Sequence, residues 1–141
     1  MGFLNFQLKT KQKKPRLKSH QKILTSHGSF DSKLENYVFG DLLLLQKDPK
    51  NKIKEIQRQK TIQLLPGIAY RADFKVVLND DSFYIVEAKG FETEVWLIKK
   101  KIYKLFGPAP LEIWKGSKSG RRIVETIIPD SSGVLKEKFG V

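Results

Sequence analysis

The chain has no cysteine, only two histidines and one methionine in 141 residues. Without thiols there is no disulfide framework, no thiolate zinc site and no cysteine nucleophile. His20 and His27 both precede the most hydrophobic part of the chain, so a histidine-based metal finger has neither its ligands nor its base; both are expected in a loop near the partner. Long apolar runs are also missing. Stretches such as residues 42–45 are far too short to cross a bilayer. The first residues, MGFLNF, lack an apolar signal core and a cleavage site, and Phe6 breaks the myristoylation pattern. These absences predict a soluble cytoplasmic protein. Acidic residues are scarce: 15 Asp and Glu against 27 Lys and Arg leave a formal net charge of +12. A sequence pI near 9.9 points to a polyanionic partner. Nucleic acid is favoured over a membrane surface, since no lysine-rich amphipathic helix carries a broad Trp, Phe and Leu face.

What is present suffices for a folded domain. Hydrophobic residues make up 40% and aromatics 11%, which excludes disorder by composition. Residues 1–28 form a separate zone in which Lys9, Lys11, Lys13, Lys14, Arg16, Lys18 and Lys22 occur without one acid. Such a run repels itself; it is either a solubilising tail or an arm that lies along phosphates. Beyond it, the pattern predicts a domain over 29–128 and a weakly ordered tail over 129–141.

Within the domain, Leu34, Tyr37, Val38, Asp41, Leu42 and Leu45 recur at helical spacing and predict a helix over 32–47, capped by Ser32 and stopped at Asp48-Pro49. Residues 53–66 read as a strand, with Ile56 and Ile62 among alternating polar residues. A hairpin comes next, over 68–78 and 83–89. Residues 93–106 read as a second helix whose apolar stripe is Val95, Ile98, Ile102 and Leu105/Phe106, with Thr93 as its cap. LEIWK (111–115) is a short buried strand, GSKSGRR a flexible basic loop, and 122–128 a further strand.

The hairpin YRADFKVVLNDDSFYIVEAKG carries acids where apolar residues would be easier to bury. Glu87 and Lys89 are two apart in a strand, so they share a face about 6.6 Å apart. Asp73 joins that face only if the strands pair with positions summing to 160, which makes Asn79-Asp80-Asp81 a three-residue loop. Two carboxylates about 4 Å apart repel by roughly 4 kcal/mol at an effective dielectric near 20, and a divalent cation reverses that sign. An oxygen-only ligand set suits Mg2+, with Mn2+ as a substitute. Such an ion acidifies its water and neutralises an attacked phosphate, while the Lys89 ammonium sits beside it. The alternative is structural: Asp73 or Glu87 paired with Lys89 or Arg71. Glu35 is a third carboxylate, either the reciprocal partner in a Ser32 capping box or a group aimed at the same ion.

The order helix, three strands, helix, strand, with Glu35, Ala72-Asp73 and Glu87-Ala88-Lys89, resembles the PD-(D/E)XK nuclease superfamily, whose restriction-endonuclease-like fold is an α/β αβββαβ core with a mixed central sheet flanked by helices. Ala72 replaces the motif's proline. FDSKLENYVFGDLLLLQ, EIQRQ and VEAKGFETEVWLIKKK resemble, more closely, small phage and prophage proteins related to Holliday junction resolvases. That resemblance covers most of residues 29–106. It implies that Glu35, Asp73 and Glu87 bind magnesium with help from the Ala88 carbonyl, that Lys89 positions or activates the attacking water, and that the products carry a 5′-phosphate and a 3′-hydroxyl. It also implies a host cell carrying a phage or prophage. A resolvase cuts a four-way junction twice, which a homodimer suits. Lys11, Lys13, Lys14, Arg16 and Lys18 of the arm, Arg58 beside the site, and Lys118, Arg121 and Arg122 of the basic loop are the expected DNA contacts. Arg58 is otherwise an exposed strand residue. The rival functions are a nicking or double-strand endonuclease of repair, transposition or restriction, a non-catalytic DNA-binding protein, and an RNA-binding protein, which leaves the acids unexplained.

Overall fold

A computed structural model describes residues 22–25 and 28–130 of the chain, and the structural statements concern those residues. The expected phosphate contacts Lys11, Lys13, Lys14, Arg16 and Lys18 lie outside them, as do both histidines. The described part opens with a two-stranded ribbon, β1 (Ile23–Thr25) and β2 (Gly28–Phe30), which straddles the boundary expected at residue 28 between arm and domain.

Helix α1 (Lys33–Lys47) begins where Ser32 accepts a hydrogen bond from the Glu35 N–H at 3.1 Å. It ends at Asp48, ahead of Pro49 and a 3-10 turn (Pro49–Asn51). Val38 and Leu42, four apart, are fully buried, whereas Leu44 and Leu45 face solvent. Three antiparallel strands come next: β3 (Ile53–Leu65), β4 (Ile68–Leu78) and β5 (Phe83–Ala88). Pro66-Gly67 makes the first turn, with Gly67 at φ +76°. The second turn is the three-residue loop Asn79-Asp80-Asp81, with Asp81 left-handed at φ +67°. Phe74 opposite Val86 and Val76 opposite Tyr84 give the register whose positions sum to 160, as expected.

Helix α2 (Glu94–Phe106) is capped by Thr93, whose hydroxyl accepts from the Trp96 N–H at 3.1 Å. It carries the chain over the sheet to β6 (Leu111–Ser117), which pairs parallel with β5. Strand β7 (Gly120–Ile127) then returns antiparallel to β6, so the sheet runs β3-β4-β5-β6-β7 and is mixed. Two expectations are corrected here. GSKSGRR is not a flexible loop but the tip of the β6–β7 hairpin, closed through Lys118 and Ser119. The buried face of α2 is not the Val95, Ile98, Leu105 stripe: Val95 is 63% and Ile98 58% exposed, while Trp96 and Tyr103 are 4% and 1%. The two aromatics, seven apart, have far more apolar area to bury than the aliphatic stripe. The Tyr103 hydroxyl also donates to the Ala109 carbonyl at 2.6 Å.

The core has two halves. Phe30, Val38, Leu42, Phe74, Val76, Val86 and Trp114 pack under α1; Leu64, Tyr70, Ala72, Ile85, Trp96, Tyr103 and Leu111 pack under α2. Residues two apart in a regular strand share a face. On β4, however, Tyr70 and Ala72 join the α2 half and Phe74 and Val76 the α1 half. On β3, Ile62 and Leu64 pack with the α2 half and Ile56 with the α1 half. Both strands thus exchange faces between the same two rungs, at Gln59 and Asp73. Gln59 has φ +53°, rare for a residue other than glycine in a strand.

Candidate metal centre

The face exchange is where the acids collect. Asp73 sits on β4 at the break, with Gln59 across from it between the pairs Arg58–Phe74 and Lys60–Ala72. Glu87 comes from β5 and Glu35 from the first turn of α1. Glu35 is 2% and Glu87 6% exposed, so neither carboxylate is hydrated as a surface group would be.

Each carboxylate is held by a named donor. The Gln59 Nε2 amide donates to Glu35 Oε1 at 2.6 Å and, more weakly, to Asp73 Oδ1 at 3.4 Å. The Ala88 N–H donates to Asp73 Oδ2 at 2.9 Å, and the Asp73 N–H to Glu87 Oε2 at 3.3 Å. The buried Tyr70 hydroxyl donates to the same Glu87 oxygen in a short hydrogen bond. Lys89 continues the β5 pairing, its N–H donating to the Trp114 carbonyl at 2.9 Å. Its Nζ lies 3.9 Å from Glu87 Oε1 and 4.7 Å from the centre of the Trp96 ring. Glu87 and Lys89 therefore do share a face, and Asp73 shares it with them.

Burial, followed by repulsion from Glu87 and Glu35, pushes the Asp73 carboxyl from 3.8 up to about 8. Glu35 is raised chiefly by burial, with the Gln59 hydrogen bond pulling the other way. Glu87 is raised by burial too, against the hydrogen bond from Tyr70 and the charge of Lys89. The corner is short of positive charge in a protein that has an excess of it.

The donor set, three carboxylates and no sulfur or imidazole, fits a hard divalent ion. Among the described residues, however, no three His, Cys, Asp or Glu side chains stand close enough to hold a metal ion as they are. Gln59 is the reason on the Glu35 side: its amide occupies the space between Glu35 and Asp73. Ala88, expected to lend a carbonyl, is tied to the site through its N–H on Asp73.

Two residues of this corner escape a reading of the sequence. Tyr70 looks like an ordinary core aromatic, tilted against Trp96 and edge-on to Tyr103 at 5.7 and 5.9 Å between ring centres. Gln59 looks like a polar strand residue. A two-residue Pro66-Gly67 turn by itself sets Gln59 against Phe74, and only the irregularity between Gln63 and Leu65 moves it opposite Asp73.

The expected DNA contacts are dispersed. The Arg58 guanidinium lies 3.8 Å from the Phe30 ring centre and 5.4 Å from that of Phe39, with its charge beside Glu35. Arg121 forms two hydrogen bonds of 2.6 Å with Asp41 of α1 and also donates to the Ser117 and Lys118 carbonyls, bracing the hairpin tip. Lys118 and Arg122 are exposed there. Ala88 pairs with Trp114, so three more residues of β6, at about 3.3 Å each, and the turn beyond them run past the end of β5.

A family model described as "Protein of unknown function (DUF1064)" matches residues 16–107, from the arm to the end of α2. The chain belongs to the DUF1064 family. The match takes in α1, β3, β4, β5 and α2, and with them every side chain of the acidic corner. No curated protein and no solved structure matches the chain.

Proposed function

We propose that the protein is a magnesium-dependent DNA endonuclease with a restriction-endonuclease-like core, selective for branched DNA and acting as a Holliday junction resolvase. The observation that carries this reading is the convergence of Glu35, Asp73 and Glu87, from three separate elements, on one buried corner beside Lys89. The Lys89 ammonium 3.9 Å from Glu87 and the Arg58 charge beside Glu35 do not balance three carboxylates. The structural alternative finds its Lys89–Glu87 pair at 3.9 Å, but that pair engages one carboxylate of the three, and among the described residues no ion pair joins Arg71 to Asp73 or Glu87. The element order α1-β3-β4-β5-α2-β6, with β5 and β6 parallel, supports the fold.

Glu35, Asp73 and Glu87 would hold the ion, with the Ala88 carbonyl as a further oxygen. When bound, Mg2+ supplies an acidified water and a positive charge on the attacked phosphate. The remaining work belongs to the chain. Tyr70 fixes the Glu87 rotamer, and the Ala88 N–H fixes Asp73. Lys89, held between Glu87 and the Trp96 face, would present its ammonium to the water or to charge developing on phosphorus. Arg58, clamped on Phe30, would contact the neighbouring phosphate. The products would be a 5′-phosphate and a 3′-hydroxyl. Lys118, Arg122 and the arm residues Lys11, Lys13, Lys14, Arg16 and Lys18 would track the DNA backbone. The exposed Val95 and Ile98 of α2 offer a surface for the second copy that a two-cut reaction calls for.

The test uses end-labelled four-way junction, duplex, splayed-arm and single-stranded DNA of matched sequence, with wild type, Asp73→Asn and Lys89→Ala, in Mg2+ or EDTA. Paired symmetric cuts in the junction are expected, with rates lowered by about 100-fold or more in both variants and abolished in EDTA. Equal cleavage of duplex would keep the nuclease and remove the resolvase. A second reading, a DNA-binding protein with structural acids, draws on Gln59, which already satisfies two of them. Tight binding without cleavage in Mg2+ or Mn2+ would favour it.

A further inference from the structure

Gln59 combines three features. It stands at the rung where β3 and β4 exchange faces. Its backbone is held at φ +53°, a conformation that costs free energy and persists where surrounding structure imposes it. Its side-chain nitrogen lies 2.6 Å from Glu35 Oε1 and 3.4 Å from Asp73 Oδ1, bridging two acids from different elements.

We infer that Gln59 is the internal stand-in for the cation: its amide bridges Glu35 and Asp73 in the metal-free protein and yields that place when a divalent ion binds. The inference rests on the metal-dependent reading above and adds a competitor to it. An amide suits the role because it is neutral. A lysine or arginine in the same place would satisfy the acids with a full charge and repel the incoming ion, whereas an amide gives up only hydrogen bonds. Glutamine has further staggered wells at χ1 and χ2, so the amide swings away without moving the strand. The irregularity between Gln63 and Leu65 sets Gln59 across from Asp73, where the plain register of the two-residue turn would set it against Phe74. Gln59 is therefore a positioning residue that sets the affinity of the site for its ion.

Two variants separate the amide from the backbone. Gln59→Gly removes the amide and tolerates φ +53° without strain. Gln59→Glu keeps the size and replaces the donor with a fourth carboxylate. Mn2+ binding is read by the loss of free-ion signal in electron paramagnetic resonance, and thermal unfolding is measured in EDTA and in saturating Mn2+. For Gln59→Gly the apparent Kd for Mn2+ is expected to fall by about tenfold, because a hydrogen-bonded competitor to the ion is gone. Its unfolding temperature in EDTA should drop, and Mn2+ should recover most of the difference. Gln59→Glu should lose more in EDTA at pH 8 and gain more from Mn2+. Wild type that binds Mn2+, with a Gln59→Gly variant that binds it equally or more weakly, overturns the inference and leaves the nuclease reading intact. Wild type that binds neither Mn2+ nor Mg2+ overturns the metal-dependent reading, and this inference with it.

Discussion

At the scale of single residues, the acidic corner carries a pH signature. The Asp73 carboxyl ionises near 3.8 in the unfolded chain and at about 8 in the folded one, because burial and then Glu87 and Glu35 oppose its charge. Between those values the folded protein holds a proton that the unfolded chain has lost, so stability falls as pH rises. The metal-free protein is expected to lose several degrees of unfolding temperature from about pH 5 to about pH 9. Mg2+, which requires the ionised carboxylate, should restore most of that loss at the upper end. Asp73→Asn should flatten the profile and remove the Mg2+ effect; thermal melts in EDTA and in Mg2+ across that range check it. Glu87 and Lys89 were legible from the two-residue period of a strand, and Asp73 from the constant sum of a hairpin once its loop has three residues. Gln59 was not, because its register depends on an irregularity between Gln63 and Leu65.

At the scale of elements, boundaries obeyed local chemistry: Ser32 and Thr93 as caps, Pro49 as a stop, Asp81 as the left-handed loop residue. Which face an element buries was less local. The α2 stripe of Val95, Ile98 and Leu105 lost to Trp96 and Tyr103, since the α2 half of the core takes the larger aromatic area. The β6–β7 hairpin was hidden by its composition, as Gly, Ser, Lys and Arg read like a loop. Its geometry depends on Gly116, at φ +146°, where a Cβ would sit 2.2 Å from the Gly120 carbonyl oxygen. Gly116→Ala is expected to cost about 2–4 kcal/mol in denaturant unfolding. Gly120→Ala, whose Cβ would meet nothing within 4 Å, should cost far less. Equal losses from the two would show that the close approach does not matter.

At the scale of the whole molecule, a net charge of +12 favours any polyanion, so affinity alone says little about function. Position says more. Lys118 and Arg122 project on the hairpin past the end of β5, and Arg121 braces that tip through Asp41 instead of adding to it. Alanine at both Lys118 and Arg122 is expected to weaken DNA binding and to lower the slope of log affinity against log salt by about two. Mn2+ affinity should be unchanged. An unaltered slope in a salt titration would remove the hairpin from the DNA contacts. Among the described residues no helix is long and apolar enough to cross a membrane, in keeping with the short apolar runs of the chain.

By itself the sequence determined the features that depend on spacing within one element or one tight turn. The order of helices and strands from α1 onward, the caps and the shared face of Glu87 and Lys89 are of that kind, because backbone periods act over a few residues; the three-residue loop that the hairpin sum required for Asp73 was supplied by the fold. Only the tertiary structure decided the features that join elements far apart in the chain. Glu35 meets Gln59 across 24 positions, and Tyr70 reaches Glu87 across 17. The exchange of faces at Gln59 and Asp73 needs two strands to break together, under helices that compete for their two sides. Packing settles such choices, and no local period encodes them.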